Sequence, residues 1–332
     1  MNTKARVLAI LEENRGTVVS GQALAQAAGV SRTAVWKAME QLRQDGHSIQ
    51  GATNRGYMLA ADSGVLCRET VLPYMKAQVA LVTPGAVDST NNVAKQLAQQ
   101  GAPHGTAVLS HKQTAGRGRM GRRFESPEGG IYVSILLRPQ LPAQEGVRLT
   151  LGACVGVCRA MEQADGLQGQ IKWVNDVYLE GKKVCGILTE AATSVENGML
   201  EYVIVGVGVN YMEPPEGFPP ALKDIAGSLY GPHRAPPLPR NRMAALLIDQ
   251  LMDCLERPLD ADILEEYRQR SLVVGKAVLV LRGESQRPAL AEAILADGSL
   301  RVRYPDGSRE DLCSGEVSIR PQGIGRKRSG RP

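Results

Sequence analysis

Apolar positions follow two rhythms along this chain. In the first sixty residues they recur every three or four positions, the period of a helix with one buried face. Val7, Leu8, Ile10 and Leu11 put an apolar stripe on a first helix. Ser20 caps a short second helix over residues 22–28, whose Leu24 faces the same core and which Gly29 breaks. Ser31 caps a third helix over residues 32–45, with Val35, Met39 and Leu42 on its buried side and Gly46 stopping it. Helix, glycine-bearing turn, helix is the helix-turn-helix pattern, and residues 49–59, alternating about Asn54-Arg55-Gly56, predict a hairpin that makes it a winged version. The unpacked face of the third helix carries Arg32, Thr33, Trp36, Lys37 and Glu40; with the cap Ser31, and Arg55 at the wing tip, Arg32, Thr33, Trp36 and Lys37 are the expected DNA contacts. Polar and basic residues gathered on that face favour DNA over a protein-binding module of the same shape.

After a small-residue linker at residues 60–67 the rhythm changes to apolar strands alternating with helices. Ser89, Thr90 and Asn91 start a helix that runs through Gln100. A strand over residues 106–114 and a second over 131–137 flank a glycine-rich loop, and a helix of small residues follows over 149–164. Two apolar strands joined at Glu180-Gly181 form a hairpin over residues 171–190, and another strand over 201–209 ends at Asn210. Beyond a Pro-rich stretch, Asn241 caps a helix with Leu246, Leu247, Leu251 and Leu255 on it; from Leu272 short strands and turns predict a small β-barrel. Residues 321–332 read as a disordered basic tail.

The chemistry concentrates in Gly116-Arg117-Gly118-Arg119-Met120-Gly121, followed by Arg122 and Arg123. Glycines let backbone amides approach a ligand, and arginines so close together repel one another unless an anion sits among them. The letters also satisfy the dinucleotide-binding G-x-G-x-x-G, but that motif needs a helix opening on the glycines, and here a turn-rich segment and a strand follow. Lys172 and Lys183 interrupt apolar strands, a costly placement unless each snorkels or meets an anion. Together with Gln113, delivered directly into the arginine loop, they outline a basic, glycine-lined cleft in an α/β sheet.

Composition adds bounds. At 332 residues and 43% hydrophobic the chain holds two or three domains, and a net charge of +5 does not by itself demand nucleic acid. Six scattered cysteines suggest neither a zinc site nor a disulfide framework, and no secretory leader or membrane span is visible, so a soluble cytoplasmic protein with reduced thiols and no membrane partner is expected.

These residues bear a likeness as a set. The chain resembles the bifunctional biotin protein ligases that also repress the biotin operon, through Asp88-Ser89-Thr90-Asn91, Gln113 with the arginine loop, Lys172-Trp173-Val174-Asn175-Asp176, Lys183-Val184-Cys185-Gly186-Ile187-Leu188, and Gly206-Val207-Gly208-Val209-Asn210. The resemblance covers residue 7 to about residue 320 and implies a multidomain α+β protein. Its parts would be a winged helix-turn-helix at 1–62, a mixed α/β ligase domain at 63–270 and an SH3-like β-barrel at 271–320. It implies that Ser89, Thr90, Asn91, Gln113, Arg117, Gly118, Arg119, Lys183 and Gly186 bind biotin, with Arg117 and Lys183 catalytic. ATP would fall to Arg119, Arg122, Phe124, Lys172, Asn175, Asp176 and Asn210, with Asn175 and Asp176 near Mg²⁺, and the Pro-rich run 213–220 would form a second closing loop. Val174 stands where the family often has proline, and Phe124 where some relatives carry tryptophan against the adenine.

The expected partners are the biotin carboxyl carrier protein, operator DNA and a second copy of the chain. Residue chemistry agrees: joining a carboxylate to a phosphate needs positioning and charge neutralisation, and an acyl-adenylate needs no enzyme nucleophile. A ligand-sensing transcription factor without ligase activity and a lipoate-type acyl ligase are the competing readings.

Overall fold

The computed structural model describes residues 2–52, 56–232, 234–282, 285–313 and 316–319; Arg55 and the basic tail lie outside the described residues. Helices α1 (Thr3–Glu13), α2 (Gly21–Ala28) and α3 (Arg32–Gln44) precede the hairpin β1 (Ile49–Ala52) and β2 (Gly56–Leu59). The expected caps are in place: Ser20 and Ser31 accept from the amides of Ala23 and Ala34, and Gly29 ends α2 with φ 64°. Val7, Leu11, Leu24, Val35, Met39, Leu42 and Leu59 close the core of this unit, with Cys67 packed against it.

The central part contains α4 (Arg68–Val71), β3 (Ala80–Val82), α5 (Thr90–Gln99), β4 (Thr106–Ser110), β5 (Ile131–Leu137) and α6 (Gly146–Asp165). It continues with β6 (Gln170–Lys172), β7 (Asp176–Leu179), β8 (Lys182–Thr193), β9 (Leu200–Val209), α7 (Arg240–Leu255) and α8 (Ala261–Gln269). Seven strands form one sheet in the order β3-β4-β5-β9-β8-β7-β6, antiparallel except for β3 against β4. Ala94 and Ala98 of α5 pack on Val108, Leu136 and Ile204 on one face, while α6, α7 and α8 join the main core on the other.

Several expectations need correction. The strand expected over 106–114 ends at Ser110, whose hydroxyl bonds the carbonyls of Gly85 and Lys112 and turns the chain toward the loop. The expected two-stranded hairpin is three-stranded: residues 173–175 turn between β6 and β7, with a cis peptide between Trp173 and Val174. The Glu180-Gly181 turn is as expected, with positive φ at both residues as a two-residue hairpin loop requires. Asn241 is not a cap; it lies inside α7, fully buried, and donates to the Thr70 carbonyl. Helix α8, with Ile263, Leu264 and Tyr267 buried, was not anticipated.

The last part is a five-stranded antiparallel sheet of β10 (Ala277–Arg282), β11 (Ser285–Ile294), β12 (Leu300–Arg303), β13 (Arg309–Leu312) and β14 (Glu316–Ile319). Its order is β13-β12-β11-β10-β14, and closure into a barrel is not among the described pairings. Val278, Ala291, Leu300 and Val302 belong to the same core as the central sheet, and the Trp173 indole donates to the Gly298 carbonyl at 3.0 Å. Among the described residues no helix is long and apolar enough to cross a membrane.

Candidate active site

The start of α5, Gln113 beyond the end of β4, the arginine loop, the starts of β7 and β8 and the end of β9 surround a cleft of about 360 Å³. Every residue expected to hold biotin or ATP lines it: Ser89, Thr90, Asn91, Gln113, Arg117, Gly118, Arg119, Arg122, Phe124, Lys172, Asn175, Asp176, Lys183, Gly186 and Asn210.

One wall is polar and fully wired. Gln113 Oε1 accepts from the Thr90 amide at 2.8 Å and lies 3.1 Å from the Thr90 hydroxyl, while its Nε2 donates to Ser126 Oγ at 2.9 Å. Ser134 Oγ lies 2.8 Å from Thr90 Oγ1 and 2.6 Å from Asn91 Oδ1. Ser89 is at the cap position of α5 yet makes no capping bond with its side chain, so a plain cap does not account for it. Asp88 accepts from Asn92 Nδ2 at 2.6 Å, which holds its carboxyl below the usual range.

The floor is glycine for steric reasons. A Cβ at Gly206 would stand 2.0 Å from Asn91 Oδ1, and one at Gly208 would stand 2.5 Å from the Phe124 ring. Phe124 therefore lies over the strand glycines, 2.9 Å from where a Cβ at Gly186 would be, on the side expected for biotin.

The basic groups are individually restrained. Lys183 Nζ lies 2.6 Å from Asp176 Oδ1 and 6.0 Å from the centre of the Phe124 ring. The backbone of Lys183 also fastens the loop opposite: its amide donates to the Ile225 carbonyl at 2.8 Å, and its carbonyl accepts from the Gly227 amide at 2.9 Å. Arg119 donates to Asn175 Oδ1 at 3.2 Å, and Asn175 Nδ2 donates to the Ile187 carbonyl at 2.7 Å. Arg117 reaches sideways, to Asn92 Oδ1 and Glu190 Oε1, both at 2.8 Å. Asn210 donates to the Gly227 carbonyl at 2.8 Å, and the Lys172 ammonium sits 5.9 Å from the centre of the Tyr178 ring. Cys185 and Cys154 lie beneath, and burial pushes both thiols up, so neither offers a thiolate.

Sequence reasoning missed Ser126, Ser134 and Glu190, and the apolar wall of Leu222, Ile225 and Ala226, which continues from Phe218 of the run expected as a second closing loop. Ser134 carried a signal, a lone polar residue in a seven-residue strand that is buried throughout. In the N-terminal unit, Arg32, Thr33, Trp36 and Lys37 are exposed together on α3, with Trp36 at 55%. Ser31 is exposed too, but its hydroxyl is engaged as the cap.

Comparison with known proteins finds matches to both the N-terminal and the central part of the chain. Residues 84–210 match the biotin/lipoate A/B protein ligase family and residues 3–58 an HTH domain. The bifunctional ligase/repressor BirA of Bacillus subtilis is 43% identical over 215 residues, an alignment covering 64% of this chain and 66% of that protein. A biotin–[acetyl-CoA-carboxylase] ligase of Paracoccus denitrificans is 31% identical over 245 residues, covering 69% of this chain and 96% of the relative. The biotin protein ligase of Aquifex aeolicus, solved in complex with biotin and ATP, superposes with a TM-score of 0.60 at 28% identity, covering 72% of this chain and 98% of that one.

Proposed function

The chain belongs to the biotin protein ligase family, and we propose that it activates biotin with ATP and transfers it to a lysine of the biotin carboxyl carrier protein. We further propose that it represses biotin synthesis genes through its helix-turn-helix unit, with biotinoyl-adenylate as corepressor. The observation that carries the enzymatic reading is the cleft itself. It sets a neutral, fully hydrogen-bonded wall of Thr90, Asn91 and Gln113 beside a cluster of cations, Arg117, Arg119 and Lys183. A polar ring fits the wall, and two anions fit the cations.

In this reading the biotin ureido ring sits against Ser89, Thr90, Asn91 and Gln113, and its carboxylate approaches Lys183. The carboxylate oxygen attacks the α-phosphate of ATP, a bond forms from oxygen to phosphorus, and pyrophosphate leaves. Lys183 and the loop arginines offset the charge that two anions bring together, in a site where fixed groups need no reorganisation. The Gly118 loop and the 213–220 run close over the adenylate and keep water from the acyl carbon. The carrier lysine attacks that carbon as the free amine, AMP departs with the electron pair, and no enzyme nucleophile is consumed.

Asp176 supplies one carboxylate and Asn175 one amide oxygen, a donor set that fits Mg²⁺ entering with ATP phosphates rather than a protein cage. The metal, when bound, polarises the phosphate oxygens. Arg32, Thr33, Trp36 and Lys37 meet DNA, and a single reading head per chain calls for a homodimer on a palindromic operator. Such a protein works in the cytoplasm, beside its carrier and its operator.

Transfer is tested by incubating the full chain with biotin, ATP, Mg²⁺ and a carrier domain, then mapping the modified residue by mass spectrometry. Biotin on one carrier lysine is expected. An unmodified carrier in the presence of adenylate would leave activation without transfer.

A further inference from the structure

Glu190 takes no part in the chemistry described so far, yet both of its carboxylate oxygens are committed to the site. Oε1 accepts from Arg117 Nη2 at 2.8 Å, and Oε2 accepts from Asn91 Nδ2 at 2.8 Å. Arg117 belongs to the closing loop and Asn91 to the ring-binding wall, and the glutamate side chain stands between them, 29% exposed. Both partners are donors. Only a carboxylate, which has no hydrogen of its own, accepts from the two together.

We propose that Glu190 is a positioning residue that couples recognition of the biotin ring to closure of the arginine loop; the proposal rests on the ligase reading. Because Glu190 and the Leu188 carbonyl, 3.3 Å from Asn91 Nδ2, can only accept, the Asn91 amide is fixed with its nitrogen toward them. Its Oδ1 then faces Ser134, whose single hydroxyl proton serves that shorter contact of 2.6 Å. The one Thr90 hydroxyl proton is shared between two acceptors, Ser134 Oγ at 2.8 Å and Gln113 Oε1 at 3.1 Å. One part-buried charge-assisted bond thus sets the donor and acceptor directions along Asn91 and Ser134. The other end of the same carboxylate holds Arg117 against Asn92. A ring analogue that disturbs Asn91 is felt at Arg117, and a displaced Arg117 loosens Asn91.

The test compares Glu190→Ala and Glu190→Gln with the wild type in the full chain, reading three quantities: KM for biotin, KM for ATP, and the rate at which free adenylate escapes. With alanine, the biotin KM rises at least about tenfold, as for a buried donor left unpaired. Adenylate escape rises at least about fivefold, as for a loosened lid. The ATP KM rises by a smaller factor than the biotin KM, since only part of the expected ATP contact lies on the loop. Glutamine is isosteric, can accept from only one of the two donors, and falls between the alanine variant and the wild type. The inference is overturned if both readouts stay within about twofold in both variants, if alanine moves one of them alone, or if the ATP KM rises in parallel. A wild type without biotin-dependent pyrophosphate release removes the ligase reading and this inference with it, whereas an active wild type with unaffected variants removes the inference alone.

Discussion

Lys183 shows how one residue serves both the fold and the reaction. Its backbone fastens the 225–227 segment while its ammonium, 2.6 Å from Asp176, points into the cleft. Truncating the side chain leaves the backbone bonds intact and removes one charge-stabilising donor. Lys183→Ala is therefore expected to lower adenylate formation by on the order of 10²-fold in single turnover, with folding unchanged. A variant within threefold of wild type would dismiss the role. Lys183, Gln113 and Arg117 were legible because each intrudes on a local pattern, a cation in an apolar strand or an amide feeding a glycine loop. Glu190 was not legible: its partner Asn91 is 99 positions away in the chain, and it comes near only because α5 packs on β9 and β8 pairs with β9.

At the scale of elements, local rules held where a local signal decided the outcome. Ser20, Ser31 and Gly29 end the helices they were expected to end, since caps satisfy amides within one turn. They failed where tertiary contacts decided. The expected strand over 171–179 is broken because residues 173–175 leave the ladder, burying Trp173 against the last sheet and turning Asn175 to the cleft. Helix α8 is short, and its stripe of three buried residues finds its partner in α6. His47, just after α3, also gained its character from packing: it is 5% exposed, and Nδ1 has no partner among the described residues. Burial lowers its pKa, against the opposing pull of Asp45 and Glu12 and with that of Arg15 and Lys4. A depressed histidine stays neutral when folded, so the unfolded chain takes up more protons as pH falls below about 6.5 and stability drops there. Hydrogen exchange of α1 to α3 in the intact protein is expected to quicken, after correction for intrinsic rate, between pH 7.5 and 5.5. In His47→Gln that change should shrink; an equal change would exclude His47 as its source.

Among the described residues there are three apolar clusters, one in the N-terminal unit, a small one under α5 and one shared by the two sheets, so the expected boundary near residue 271 separates elements but not cores. The N-terminal unit is tied to the rest by polar contacts: Arg15 donates to the Ala60, Ala61 and Ser63 carbonyls, and the Tyr74 hydroxyl donates to Glu12 at 2.7 Å. No residue of α3 lines the cleft. Lys37→Ala is accordingly expected to reduce the salt slope of operator binding by about one unit without changing adenylate formation. An unchanged slope would take Lys37 out of the footprint. Whether the cleft activates biotin is decided by pyrophosphate release from the pure chain with ATP and Mg²⁺, comparing biotin, lipoate and octanoate. Release is expected with biotin alone, accompanied by biotinoyl-adenylate identified by mass; folded protein that binds biotin yet releases no pyrophosphate with any of the three acids would exclude activation and leave a ligand-sensing repressor.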